Sequence, residues 1–516
     1  MKKRVILEII GKKDRCTGEI HYTEAYLNRL KADGNDISTL KVWIKDNKGD
    51  QVTNKNIVKV EKRMNNVVDK GGVRIFFDKC FENIGIVTSL KAQFPKVWSK
   101  ISALAVFMLT ESKPFSKCQA WQEETGYDDV GSLASQRVSE ILESIEVEKI
   151  NGFFSYIWDN LVQPHEYVDV DGTSISTYSE HLENAEFGKN KDLDKLAQVN
   201  ICLLFGSTSH LPISYHYYNG SITDTKIFNE IMVLLPDGVS KKRPLFIADK
   251  GFWSQSNVSQ LFSNKYDFLI PITFVSKFAN NIAQTALKTI EDDGKVIEDQ
   301  KRYVQCKTII TKYCDKEMFV HVYFDPAAKA QASLKLKKKV EEAFTAYSEN
   351  SKDKDQYIKY AMYLTFDSND KSKVVSIDKN AIEKALEHEG IFMLASNYIS
   401  NAIDAIKTYD FRNDVEVGFK TFKNMLGMHR IHVQSNEVAN GKCFIAFIAL
   451  LLQCYIKNTI EEQKLDMSVD KLISEILKTR EISPNGKKTF GVLTALQEKI
   501  LLAFKIDLKL FDVNNR

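Results

Sequence analysis

Between residues 166 and 271 the spacing of apolar residues changes in a fixed order, and that order restricts the architecture more than any other feature of the chain. The segments "EYVDVDGTSIS", "NICLLFG" and "LPISYHYYNG" are rich in β-branched and aromatic residues and are bounded by Gly, Pro or Asn. They read as three successive antiparallel strands. A helical pattern, "TDTKIFNEIMVLL", a buried strand, "PLFIAD", a second helix, "SQSNVSQLFSNK", and a further strand, "YDFLIPI", follow. Three antiparallel strands leading into alternating helices and strands predict a mixed central sheet in an α/β fold. Residues 276–388 interrupt this order with Lys-rich, aromatic-poor stretches and strand pieces such as "MFVHVYFD". After them "GIFMLASN" reads as one more strand, so the interruption is expected to be an inserted domain.

A chain of 516 residues with 44% hydrophobic content has room for two to four packed units. The expected divisions are a β-rich module over 1–66 and a helical domain over 67–165, of a kind that often binds DNA and equally often simply packs. The two halves of the core follow at 166–275 and 389–460, on either side of the insertion at 276–388, and a helical region at 461–516 ends the chain. Within the helical domain "FENIGIVTSLKAQF" reads as one helix, and Ser132 is the expected N-cap of "SLASQRVSEILESI". The run "CFIAFIALLLQCYI" is shorter than the roughly 20 residues that cross a bilayer, which predicts a core helix and no membrane partner. Eight scattered cysteines without a CxxC pair argue against a zinc ribbon or a disulfide framework and fit a reducing cytoplasm. A formal charge of +3 is too small for a global field, so any polyanion must be met by local Lys and Arg.

Two acids stand at strand ends in apolar surroundings, where an ionised carboxylate is costly unless it is paired or holds a metal. Asp249 ends the strand "LFIAD", and Asp171 lies in "YVDVDGTSIS" on the same side as Asp169, because strand side chains alternate. Turn formation accounts for an Asp-Gly pair equally well. A third acid, Glu416, lies in "YDFRNDVEVGFKTFK". At about 100° per residue, Tyr409, Arg412, Glu416 and Lys423 fall within an arc of about 60°, with Lys420 beside them. Phe411, Val415, Phe419 and Phe422 group on another side. Three hard oxygen ligands from two strands and a helix suit Mg²⁺ or Mn²⁺, and two such ions serve phosphoryl transfer. Arg412 and Lys423 would then grip phosphates, and Tyr409 would bond a phosphate or stack on a base.

The spacing Y-x2-R-x3-E-x6-K resembles the signature of bacterial DDE transposases of the insertion-sequence-four superfamily. "DGTSIS", "GSITDT", "IADKGFWS" and "EGIFMLASN" resemble that superfamily in order, over about residues 166 to 460. "KPFSKCQAWQEETG" and "SLASQRVSEILESI" are similar to the N-terminal part of its 1634-type group. The resemblance implies a ribonuclease-H-like core with an inserted domain. It also implies cut-and-paste transposition by a homodimer on paired terminal inverted repeats, with transfer into double-stranded target DNA. Carried over, Asp171, Asp249 and Glu416 are the metal-binding catalytic triad for two Mg²⁺ or Mn²⁺ ions. Asp171 is preferred to Asp169 because "GTS" follows it. Tyr409, Arg412, Lys420 and Lys423 become DNA contacts, and Trp253 is a further candidate for stacking on DNA. Some relatives stack a flipped base on a tryptophan of the insertion, but no Trp lies between 254 and 416, so a Tyr or Phe would take that role or none would. His429 and His432 are expected to be structural or phosphate-adjacent. The alternatives are a transposase-derived DNA-binding protein without catalysis and a metal-dependent nuclease that cuts without joining.

Overall fold

The computed structural model describes residues 11–13, 20–32, 40–46, 49–51, 67–111, 113–188, 195–236, 238–299, 302–349, 354–368, 373–410, 413–425, 431, 433–483 and 489–511. The chain folds as two units, one of residues 77–122 and 128–469 and one of residues 1–76, 123–127 and 470–516.

The larger unit is organised by a nine-stranded mixed sheet. Its strands are β1 (Tyr167–Ser176), β2 (Gln198–Gly206), β3 (Leu211–Asn219), β4 (Leu245–Ala248), β5 (Asp267–Pro271), β6 (Lys295–Asp299), β7 (Arg302–Tyr313), β8 (Lys316–Phe324) and β9 (Ile391–Ser396). In space they run β6-β7-β8-β9-β5-β4-β1-β2-β3. β1, β2 and β3 form the antiparallel meander that the alternating segments predict, and β4 lies parallel to β1 and β5 parallel to β4. The five strands in the order β3-β2-β1-β4-β5 are the ribonuclease-H arrangement. Every residue of β2 is buried, as a strand covered on both faces requires.

The interruption at 276–388 divides into two parts. β8 pairs antiparallel with β9 from Phe319↔Ser396 to Phe324↔Ile391, so β6, β7 and β8 continue the core sheet. The remainder, beginning with the helix Pro326–Ser348, has a core of its own formed by Val340, Ala343, Leu364, Val374 and Ile382. Periodicity finds such strands but not their partners, because a strand with one buried face looks alike in a separate hairpin and at a sheet edge.

Helices cover both faces of the sheet. α1 (Asp224–Leu234) and α2 (Gln255–Ser263) lie on one face, where Phe262 meets Phe268 of β5 edge-on at 5.4 Å. α3 (Ala402–Asp410), α4 (Asn413–Met425) and α5 (Asn436–Glu462) lie on the other. α5 exceeds the 14-residue apolar run and is long and apolar enough to cross a membrane, but most of that window is buried inside the fold, with Phe447 against Tyr215 of β3. Ser435 caps it, accepting from Val438 N at 3.3 Å.

Three helix boundaries differ from expectation. The 409–423 stretch whose 100° spacing assumed one helix is divided between α3, which ends at Asp410, and α4, which begins at Asn413, so Tyr409 does not share a helix with Glu416 and Lys423. The stretch expected as one helix over 81–94 is two, Gly71–Ile84 and Val87–Gln93, because Gly85 adopts φ 87°, where a side chain would be strained. Ser132 is not an N-cap. The helix starts at Ser135, and Ser132 Oγ instead bonds Gln119 Oε1 and the Ala134 amide.

The smaller unit holds a four-stranded sheet of Gly11–Lys13, Ile20–Thr23, Lys41–Asp46 and Gly49–Gln51. Its "GEIHYTEAYL" is strand only to Thr23 and continues as the helix Glu24–Ala32, while the expected strand "RVILEIIG" lies almost wholly outside the described residues. A second sheet joins Val67–Asp69 to Glu481–Ser483 and Thr489–Phe490, so the C-terminal region expected as helical contributes strands. Its helix Ala495–Ala503 begins with a capping box of Thr494 and Gln497.

Candidate active site

The register between β1 and β4 positions the first two acids. Asp169 pairs with Ile247 and Val170 with Ala248 in parallel, so Asp171 and Asp249 follow at the same level on neighbouring strands. Parallel strands lie about 4.8 Å apart, which sets the two carboxylates side by side. Each is half-buried and each accepts from the amide that follows it, Gly172 N to Asp171 Oδ1 at 2.8 Å and Lys250 N to Asp249 Oδ1 at 2.7 Å. Asp249 thereby caps the short helical turn Lys250–Phe252, which begins where the apolar run of β4 ends.

Asp169 lies two residues deeper. It is fully buried, and Ser207 Oγ, from the turn after β2, donates to its Oδ2. Both acids point to one face of the sheet, but Asp169 is fully buried, whereas Asp171, just past the last residue paired with β4, is half-buried. Ser207 was not legible from sequence, since its role depends on the β1–β2 pairing.

The face carrying these acids is the one that α3 and α4 cover. Ala402, Ala405, Ile406 and Tyr409 of α3 pack against a cluster containing Leu245 and Ile247 of β4 and Leu269 of β5. In α4, Gly418 sits over Phe205 of β2, where an added Cβ would lie 3.3 Å from the ring, and Phe422 stands 6.2 Å from Tyr215 of β3. α3 lies over β6 to β9, with its cluster reaching β5 and β4, and α4 packs against β1, with Gly418 and Phe422 reaching β2 and β3. Glu416 belongs to the early part of α4, two residues before Gly418, and its side chain lies outside the described residues.

Of the predicted DNA contacts, Lys420 is exposed, Lys423 is half-buried, and Tyr409 is partly buried against the α3 cluster. Arg412, His429 and His432 lie outside the described residues. Trp253 is 9% exposed and its ring stacks on Tyr313 at 5.2 Å, an arrangement of packing and not of an open stacking platform. Its place beside Asp249 in sequence gives no sign that the β7–β8 hairpin reaches the same turn. Among the described residues no group of three or more His, Cys, Asp or Glu forms a ligand set. Asp171 and Asp249 supply a pair of hard oxygen ligands, which fit a divalent cation of the Mg²⁺ or Mn²⁺ kind.

Buried polar bonds hold the frame of the α3 side. His321 of β8 is fully buried, with Nδ1 at 2.9 Å from Thr308 Oγ1 and Nε2 at 2.9 Å from the Ile399 carbonyl. Burial pulls its pKa down to about 4, so the ring is neutral. Tyr323 OH donates to the Ala402 carbonyl at 2.6 Å, tying the start of α3 to the same strand.

A ribonuclease-H sheet with two carboxylates side by side on its central parallel strands defines a core for phosphoryl transfer on nucleic acid. The chain belongs to the transposase DDE domain family, whose model matches residues 163–452. It is a DNA transposase, an enzyme of DNA cleavage and joining, from a family that depends on divalent metal. No curated protein matches it significantly. Among solved structures, a piggyBac transposase synaptic complex with hairpin DNA aligns over 80% of each chain at 11% identity and a TM-score of 0.39, too distant a likeness to bear on the site.

Proposed function

We propose that this transposase cuts at the ends of its element and transfers them to target DNA, with Asp171, Asp249 and Glu416 holding two Mg²⁺ or Mn²⁺ ions. The observation carrying this reading is the adjacency of Asp171 and Asp249, together with the packing of α4 against β1. When bound, such ions activate a water or a 3′-hydroxyl and stabilise the leaving oxygen. The carboxylates hold their positions because each is tied to the backbone amide that follows it, Asp171 within β1 and Asp249 just past the end of β4, and Asp169 is held below them by Ser207. Lys420 and Lys423, about one and two helical turns past Glu416, follow it along α4 and take up DNA phosphates, as does Arg412. Tyr409, Arg412, Glu416 and Lys423 form the Y-R-E-K signature of the insertion-sequence-four superfamily in this reading. The protein works as a homodimer on paired terminal inverted repeats, with the segment 67–165 contacting DNA.

The test is joining of a labelled transposon end to a target plasmid, by wild type and by Glu416→Gln. Wild type should yield joined product in the presence of Mg²⁺, and Glu416→Gln should bind ends without cutting them. Cutting without joining by wild type would make the protein a nuclease, and joining by Glu416→Gln would remove Glu416 from the site.

A further inference from the structure

The turn that follows Asp249 is secured carbonyl by carbonyl. The Asp249 carbonyl accepts from Phe252 N at 2.9 Å and the Lys250 carbonyl from Trp253 N at 3.2 Å. The Phe252 carbonyl accepts from Asn257 Nδ2 at 2.7 Å, and the Gly251 carbonyl accepts from Thr225 Oγ1 at 2.8 Å. Of these four bonds, the one from Thr225 comes from outside residues 249–257. Thr225 is in the first turn of α1, which follows β3, and belongs to the "GSITDT" segment whose chemistry the active site has not otherwise used.

The loop that delivers Thr225 is itself fixed. Asn200 Nδ2, from β2, lies 3.1 Å from the Gly220 carbonyl and 3.0 Å from the Ile222 carbonyl, and Gln198 Nε2 lies 3.0 Å from the Gly220 carbonyl. Glu186 accepts from the Ser221 hydroxyl and from Asn219 Nδ2, which hold its carboxyl below the usual range. Further along, Asn229 Nδ2 reaches Ser256 Oγ at 3.1 Å and Gln260 Nε2 reaches the Asn229 carbonyl at 3.1 Å, so α1 and the start of α2 are joined as well. A chain of bonds thus runs from β2 through α1 to a carbonyl two residues from Asp249.

We propose that Thr225 is a positioning residue for Asp249, fixing the 249–252 turn so that the carboxylate keeps the direction in which it meets a divalent cation. This rests on the reading of Asp249 as a metal ligand. Partners that orient a ligand without touching the metal typically change metal affinity by about 10–100-fold when removed. Thr225→Val keeps the volume and removes the donor, whereas Thr225→Ser keeps the donor.

The experiment titrates Mn²⁺ into the full-length protein bound to duplex from the element's own end, reading free Mn²⁺ by electron paramagnetic resonance. DNA affinity and melting temperature are measured alongside. Thr225→Val should raise the half-saturating Mn²⁺ concentration by about tenfold at unchanged DNA affinity, and Thr225→Ser should restore it. Mn²⁺ binding by Thr225→Val equal to wild type would overturn the proposal, as would an equal loss in Thr225→Ser. If Thr225→Val melts several degrees low, Thr225→Ala against Thr225→Ser gives the same comparison, decided by the same two results. Asp249→Asn separates the underlying reading: full Mn²⁺ binding by that variant would remove Asp249 as a ligand, whereas its loss beside a normal Thr225→Val would refute positioning alone.

Discussion

The adjacency of Asp171 and Asp249 should be visible as a stability that depends on metal. Their strands are parallel neighbours in register, so the carboxylates face each other across about 5 Å. Two unit charges at that distance repel by about 0.8 kcal/mol in bulk water and about 3 kcal/mol at an effective dielectric of 20. Both groups are half-buried, and screening by solvent puts the working value near 1 kcal/mol. Asp249→Asn removes the repulsion while its side-chain oxygen still accepts from Lys250 N, so the cap is kept. In chelator the variant should therefore unfold about 1–2 °C above wild type. Saturating Mg²⁺ reverses the order, because a ligand at about 100 times its Kd stabilises the native state by about 2.7 kcal/mol, and only wild type retains the full ligand set. Differential scanning calorimetry in EDTA and in Mg²⁺, with DNA absent, reads both arms. Wild type and variant responding alike to Mg²⁺, or a variant less stable than wild type in EDTA, would show that the two carboxylates do not share a site.

Three other perturbations probe other parts of the same unit. His321 is buried neutral, with a folded pKa of about 4 against an ordinary value near 6.5, so the unfolded chain takes up a proton that the folded one refuses as pH falls through that window. Stability should drop by about 2 kcal/mol from pH 7 to pH 5, and His321→Gln, assayed by urea unfolding, should lack that part of the loss. At Gly418 a Cβ would sit 3.3 Å from Phe205, so Gly418→Ala should be near neutral, helix propensity offsetting the crowding, while Gly418→Val should cost about 1–3 kcal/mol and depress cleavage by lifting α4 from the sheet. Lys423→Ala and Arg412→Ala should each weaken end binding and reduce the slope of log affinity against log salt by about 1, measured by filter binding; unchanged slopes would remove them from the phosphate contacts.

The core was legible because the β1–β3 meander and the β4-α2-β5 alternation each have a distinct apolar period. The partners of β6–β8 were not, since nothing in "MFVHVYFD" states that Phe319 to Phe324 will meet Ile391 to Ser396. The preference for Asp171 over Asp169 rests on the "GTS" that follows it; depth is not legible in the sequence, and here Asp169 is fully buried against Ser207 while Asp171 is half-buried. Proximity of Trp253 to Asp249 in sequence carries no information about what covers its ring, and here Tyr313 stacks on it. The role of Thr225 is not legible in the sequence, because its partner is a backbone carbonyl 26 residues away, which leaves no mark in side-chain composition.

The path of α3 and α4 also determines which position on α4 can serve the site. α3 packs over β6 to β9 and reaches β5 and β4, whereas in α4 Gly418 lies over β2 and Phe422 beside β3, so advancing along α4 means moving away from β1 and its acid. Lys420 lies only about 40° around the helix from Glu416, close enough in direction to look like a substitute, but it is about 6 Å further along the axis. If Glu416 is the third ligand, a carboxylate at 420 is displaced along the axis by about one turn. The double variant Glu416→Ala with Lys420→Glu restores the number of acids and their side of the helix, yet it should remain without metal-dependent cleavage of labelled ends, as Glu416→Ala alone does. Recovery of cleavage by the double variant would mean that distance along α4 is immaterial, and that the helix does not hold its third acid by crossing the sheet at β1.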